Sequence, residues 1–124
     1  MAKILYIEDI QDNITLVEKI VTSRGHEFLF AKNAESGLEL AFVSKPDLIL
    51  LDLGLPDADG QTLSVWLKGN PELNDTPIIV LTAWPEEVVR QTVDAYHLNG
   101  YLCKPFSLNA LVNKIDSVLG EKPA

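Results

Sequence analysis

The chain carries three apolar runs that do not alternate with polar residues: "KILYI" from Lys3 to Ile7, "LILL" from Leu48 to Leu51 and "IIVL" from Ile78 to Leu81. A strand with one wet face alternates apolar and polar side chains. An unbroken Ile, Leu and Val run therefore predicts a strand buried on both faces, as in a parallel sheet covered by helices. Two weaker runs, "EFLFA" from Glu27 to Ala31 and "GYLC" from Gly100 to Cys103, extend the set. Helix-period stretches lie between them. Ile14, Val17, Ile20 and Val21 form one stripe, and Leu38, Ala41 and Phe42 form part of another. The clearest runs through Leu108, Leu111, Val112, Ile115, Val118 and Leu119, with Ser107 in front as N-cap. Pro85, followed by Glu86 and Glu87, marks another helix start, with acids near the positive end of the dipole. "KGNPELNDTP", Lys68 to Pro77, reads as a loop.

Five strands alternating with five helices predict an α/β fold with right-handed crossovers. The expected architecture is a flavodoxin-like, doubly wound (βα)5 parallel sheet with strand order 2-1-3-4-5. At 124 residues, one domain covering 1–124 is expected, with its core at about residues 3–119. In such sheets ligands sit beyond the carboxyl ends of the strands, near the switch point between the first and third strands.

Several function classes are disfavoured by composition. No apolar run approaches the ~18 residues of a membrane span, and "MAKILYIED" turns acidic before a signal-peptide core develops, so a cytoplasmic protein is expected. Cys103 is the only cysteine, and His26 and His97 stand far apart, which leaves no internal disulfide and no zinc spacing. The net charge of -8 argues against nucleic acid as a direct partner.

The residues just beyond the predicted strands form a constellation independent of the apolar pattern. The first strand ends in Glu8-Asp9, the third in Asp52, the fourth in Thr82 and the fifth in Lys104-Pro105. Carboxylates gathered at one edge repel, by about 4 kcal/mol for a pair roughly 4 Å apart at an effective dielectric near 20, so a cation belongs among them. Hard oxygen ligands without His or Cys favour Mg²⁺, which takes one or two carboxylates and leaves room for phosphate oxygens. A carboxylate beside Mg²⁺, a lysine and a hydroxyl suits phosphoryl transfer, where positioning and charge neutralisation do most of the catalysis.

Together, Glu8-Asp9, Asp52 with Pro56 and Asp59-Gly60, Thr82-Ala83 and Lys104-Pro105-Phe106 resemble the receiver domain of bacterial response regulators, from Lys3 to Leu119. The resemblance implies a flavodoxin-like fold and a phosphorylation switch in a two-component system or phosphorelay. Asp52 would take a phosphoryl group from a phosphohistidine on a sensor histidine kinase or a histidine phosphotransfer protein. Asp9 would hold Mg²⁺ directly, Glu8 mostly through water and Gly54 through its carbonyl. Thr82 and Lys104 would hold the phosphoryl oxygens, and Tyr101 would move inward with Thr82. The Lys104-Pro105 bond is implied to be cis. Such a chain is a switch rather than an enzyme acting on another substrate, although it catalyses its own phosphorylation and dephosphorylation. Its output would pass to a protein partner, or a second copy, on the face of the fourth helix, fifth strand and fifth helix. Only "GEKPA" follows the last predicted helix, so output by protein contact is expected.

Competing readings attach to each residue taken singly. Glu8 and Asp9 could cap the first helix, Asp52 could be a turn residue, and Lys104 a surface charge. Cys103 reads as an inert buried thiol, His26 and His97 as solvent-facing turn residues, and Trp66, in the third helix, as a packing residue. With Gly54 and Trp84 at the two positions that in the family influence water attack, self-dephosphorylation is expected to be slow, since neither can orient a water. A Mg²⁺-dependent phosphatase with an aspartyl nucleophile is an alternative, but such enzymes place a second acid where Gly54 stands. A receiver-like interaction module that works without phosphorylation is another, disfavoured because the acid, threonine and lysine set is complete. A flavin-binding flavodoxin is opposed by the acidic loop "EDIQDN".

Overall fold

The computed structural model describes residues 2–120, so the "EKPA" after Gly120 lies outside the described residues. Strands and helices alternate: β1 (Lys3–Ile7), α1 (Gln11–Ser23), β2 (Glu27–Ala31), α2 (Ala34–Ser44), β3 (Leu48–Leu51), α3 (Gly60–Lys68), β4 (Ile78–Thr82), α4 (Glu86–Ala95), β5 (Gly100–Cys103) and α5 (Leu108–Leu119). All four strand pairs are parallel. The order is β2-β1-β3-β4-β5, as expected for a flavodoxin-like sheet.

Two-sided burial explains why the central strands lack alternation. Leu5, Ile7, Ile49, Leu51, Ile78 and Val80 point into one apolar layer with Ala34, Ala41, Leu63, Leu67 and Val89 of α2, α3 and α4. Ile4, Tyr6, Leu48, Leu50, Ile79 and Leu81 point into the other, with Ile14 and Val17 of α1 and Leu111 and Ile115 of α5. Each face therefore needs its own apolar residue at every second position. β2 and β5 are the edges of the sheet and only partly buried, which is why their runs are weaker.

Three expectations are corrected. His26 is buried, not solvent-facing: it sits just before β2, and its Nδ1 accepts a hydrogen bond from the Ala2 N–H at 3.0 Å. Phe42 and Trp66 are half exposed. α2 presents its small residues Ala34, Gly37 and Ala41 to the sheet, which turns Phe42 outward, and the buried stripe of α3 runs through Leu63 and Leu67, leaving Trp66 on the rim. His97 is exposed with φ 56°, the turn residue expected.

Side-chain caps fix the starts of α3 and α5. Ser107 accepts from the Ala110 N–H at 3.0 Å, and Asp59 accepts from the Thr62 N–H at 2.7 Å. Asp57, in the β3–α3 loop, reaches across to α2 and accepts from the N–H groups of Ala34 at 2.7 Å and Glu35 at 2.9 Å. These bonds, the one from Ala34 first, hold the Asp57 carboxyl below the usual carboxylate range. A carboxylate whose folded-state pKa is depressed contributes stability that is present above its unfolded value of about 3.9 and is lost as pH falls through the folded value. Asp57→Ala should therefore be less stable than the wild type at pH ~7, with the gap narrowing below about pH 4. Urea denaturation at the two pH values checks this, and a pH-independent gap would refute it.

Candidate functional site

Backbone bonds beyond the strand ends align the residues at the carboxyl edge. Ile7 lies opposite Leu51 in the β1–β3 register, and the Asp52 N–H donates to the Ile7 carbonyl at 3.1 Å. On the other side, the Lys104 N–H donates to the Thr82 carbonyl at 2.8 Å. Glu8, Asp52, Thr82 and Lys104 thus stand on neighbouring chain ends as the sequence predicts. Behind Asp52 the first turn of α3 presses on the backbone: the Gly60 N–H donates to the Leu53 carbonyl at 2.9 Å. A Cβ at Gly60 would lie 2.7 Å from both the Asp52 carbonyl oxygen and the Leu53 Cα, so only glycine permits this approach.

Glu8 is fully buried and is the hub of the site. Its Oε1 accepts from the Tyr6 hydroxyl at 3.0 Å, from Asn13 Nδ2 at 2.9 Å and from the Lys104 ammonium. Its Oε2 accepts from the Asp9 N–H at 3.0 Å. Glu8 does not cap the first helix by its side chain, since the N-cap of α1 is Ile10 and carries no side-chain bond. Burial pushes the Glu8 carboxyl up, but the hydrogen bond and attraction from Lys104 outweigh it and hold the group at about 2. Asp52, 8% exposed, goes the other way. Its burial, reinforced by the neighbouring Glu8 charge, raises its pKa against the pull of Lys104. The Tyr6 phenol is likewise driven far up by burial and by Glu8, so it stays a proton donor.

Tyr6 and Asn13 were missed at the sequence level. A signal for Tyr6 was available: a tyrosine in a strand buried on both faces must find a partner for its hydroxyl.

Thr82 is buried, and its Oγ1 accepts from the Trp84 N–H at 3.3 Å, leaving the hydroxyl proton to donate. The Trp84 indole lies over Gly54, with Nε1 3.5 Å from where a Gly54 Cβ would stand. Gly54 itself is exposed in the loop that leaves Asp52. Tyr101 is only partly buried, and its hydroxyl donates to Glu86 Oε2 at 3.2 Å. The Lys104–Pro105 bond is cis. Cys103 is only partly buried, not the buried thiol expected, and burial, then Glu86, pushes its thiol pKa up.

Glu8, Asp9 and Asp52 each offer a carboxylate oxygen, and these lie within 4.8 Å of one another. Among the described residues this is the group that could hold a metal ion. An all-carboxylate donor set with no His or Cys fits a hard cation such as Mg²⁺. No helix of the described residues is long and apolar enough to cross a membrane.

Comparison with known proteins gives concordant results. The family model described as the response regulator receiver domain matches residues 4–116. The polar-differentiation response regulator DivK of Brucella anthropi is 30% identical over 118 residues, covering 95% of this chain and 96% of the relative. The chemotaxis response regulator CheY4 of Vibrio cholerae superposes with a TM-score of 0.89 at 25% identity, over 95% of this chain and 98% of that one. The receiver domain of sensor histidine kinase PA1611 from Pseudomonas aeruginosa, solved with a magnesium ion coordinated in its active-site cleft, superposes with a TM-score of 0.88 at 28% identity, over 97% and 98% of the two chains.

Proposed function

This chain belongs to the response regulator receiver domain family, and from that premise we propose that residues 1–124 form one cytoplasmic phosphoacceptor switch centred on Asp52. The observation that carries the reading is the juxtaposition of the buried Asp52 carboxylate with Glu8, Asp9, Thr82 and Lys104 on adjacent strand ends. Asp52 attacks the phosphorus of a phosphohistidine. An acyl-phosphate O–P bond forms as the P–N bond breaks, and the electron pair leaves with the histidine nitrogen, which takes a proton. Thr82 donates its hydroxyl proton to a phosphoryl oxygen. Lys104, held by Glu8 in the resting state, shifts its charge onto the phosphoryl group. Asp9 and Asp52, with the Gly54 carbonyl and with Glu8 mostly through water, would hold Mg²⁺, which would neutralise phosphoryl charge.

The donor, a sensor histidine kinase or a histidine phosphotransfer protein, has a landing surface beside the site. A cleft of about 360 Å³ there is lined by Tyr6, Leu16, Ala83, Pro105 and Phe106, and Ile10 and Leu16 are half exposed. Movement of Thr82 toward the phosphoryl group opens space behind it, and Tyr101 leaves Glu86 to fill it, changing the α4, β5 and α5 face that a protein partner or a second copy reads.

Label from a radiolabelled phosphohistidine donor should pass to this chain only with Mg²⁺ present. No transfer with a metal-loaded protein would overturn the reading. Because the Trp84 indole covers Gly54, the label should be lost slowly, and Trp84→Gln, which can orient a water, should shorten its lifetime by about tenfold.

A further inference from the structure

Away from the site, large apolar side chains stand exposed together on α2 and its neighbours: Val43 is 74% exposed, Phe42 and Trp66 47% each, and Phe30 45%. A groove of about 450 Å³ runs between α2 and α3, with Leu38, Phe42, Val43 and Trp66 along it and Glu35 and Glu39 on its rim. Neither glutamate makes an ion pair among the described residues. On α2, Glu35, Glu39, Phe42 and Val43 stand at i, i+4, i+7 and i+8, so charge and apolar surface form one continuous stripe. Exposed apolar groups clustered in this way mark an interaction surface.

A second copy is a poor occupant. Two-fold pairing would bring together two copies of a face that carries Glu35 and Glu39, in chains of net charge -8 each. The complementary partner carries the opposite sign. We propose that the α2–α3 groove docks a cationic amphipathic helix of another protein. Its apolar face covers Phe42, Val43 and Trp66, and its Lys or Arg side chains lie over Glu35 and Glu39. This surface is distinct from the α4, β5 and α5 face.

The test is fluorescence anisotropy of a labelled synthetic peptide of Leu and Lys, with Leu at i, i+3, i+4 and i+7, titrated with the intact protein, alongside sedimentation of the protein alone. Saturable one-to-one binding is expected. It should weaken by about tenfold or more in both Phe42→Gln/Val43→Gln and Glu35→Gln/Glu39→Gln, and change by less than about twofold in Glu87→Gln/Asp94→Asn on α4. All of these are exposed positions, so the variants keep the fold. Absence of binding, or equal weakening by the α4 pair, would overturn the proposal. So would a concentration-dependent dimer removed by Phe42→Gln/Val43→Gln, which would assign the groove to a second copy.

Discussion

Lys104→Met should destabilise the protein at neutral pH by about 3 kcal/mol, because removing one partner of a buried pair strands the other charge. The Lys104 side chain is 17% exposed and that of Glu8 0%, so solvent cannot take over the lost ammonium. Glu8 keeps the bonds from Tyr6, Asn13 and the Asp9 N–H, which limits the cost without abolishing it. The same variant should also lose most phosphoryl acceptance, since the charge proposed to meet the incoming phosphoryl group is gone. Denaturant unfolding separates stranding from a general packing loss. If an orphaned carboxylate is the cause, Glu8→Gln/Lys104→Met should be more stable than Lys104→Met alone. A double variant no better than the single would refute this account of Glu8.

The second large effect is expected at Gly60. Gly60→Ala places a methyl group 2.7 Å from the Asp52 carbonyl oxygen and the Leu53 Cα, backbone atoms at the end of β3 that cannot rotate away. Overpacking against backbone costs about 2–3 kcal/mol. The displaced atoms carry Asp52, the proposed nucleophile, so phosphoryl acceptance should fall along with stability. Gly54→Ala provides the contrast: its Cβ meets only Trp84 Nε1 at 3.5 Å, an ordinary contact, and should change stability by less than about 0.5 kcal/mol. Chemical unfolding of the two variants in parallel checks the pair. Equal losses would show that the approach of α3 to Asp52 is not what requires glycine.

Much of the architecture was legible in the chain because burial on both faces of a parallel strand leaves an unmistakable pattern. The runs ending at Ile7, Leu51 and Cys103 match β1, β3 and β5 in their bounds, and β4 extends one residue further, to Thr82. Ser107 announced α5 by its capping chemistry. Residues whose environment depends on tertiary neighbours were harder to read. His26 is buried because the chain start donates to its Nδ1, a contact 24 residues away in sequence. Phe42 and Trp66 fit helical stripes, yet their helices turn other residues to the sheet, and no periodicity separates a stripe's centre from its rim.

The same division holds at the site. The acids, threonine and lysine were visible because the strand ends deliver them to one edge. The network around Glu8 was not, since Asn13 comes from α1 and Lys104 from beyond β5, and their meeting follows only from strand order and helix orientation. Asp57 appeared in the sequence as a loop acid, and its grip on α2 depends on how the β3–α3 loop folds back.

The most direct test of the central claim is the intact mass of the wild type and of Asp52→Ala after incubation with acetyl phosphate, with and without Mg²⁺. The wild type should gain one phosphoryl group only when Mg²⁺ is present, and Asp52→Ala should gain none. A phosphoryl group on Asp52→Ala, or none on the metal-loaded wild type, would contradict the assignment of Asp52 as the acceptor.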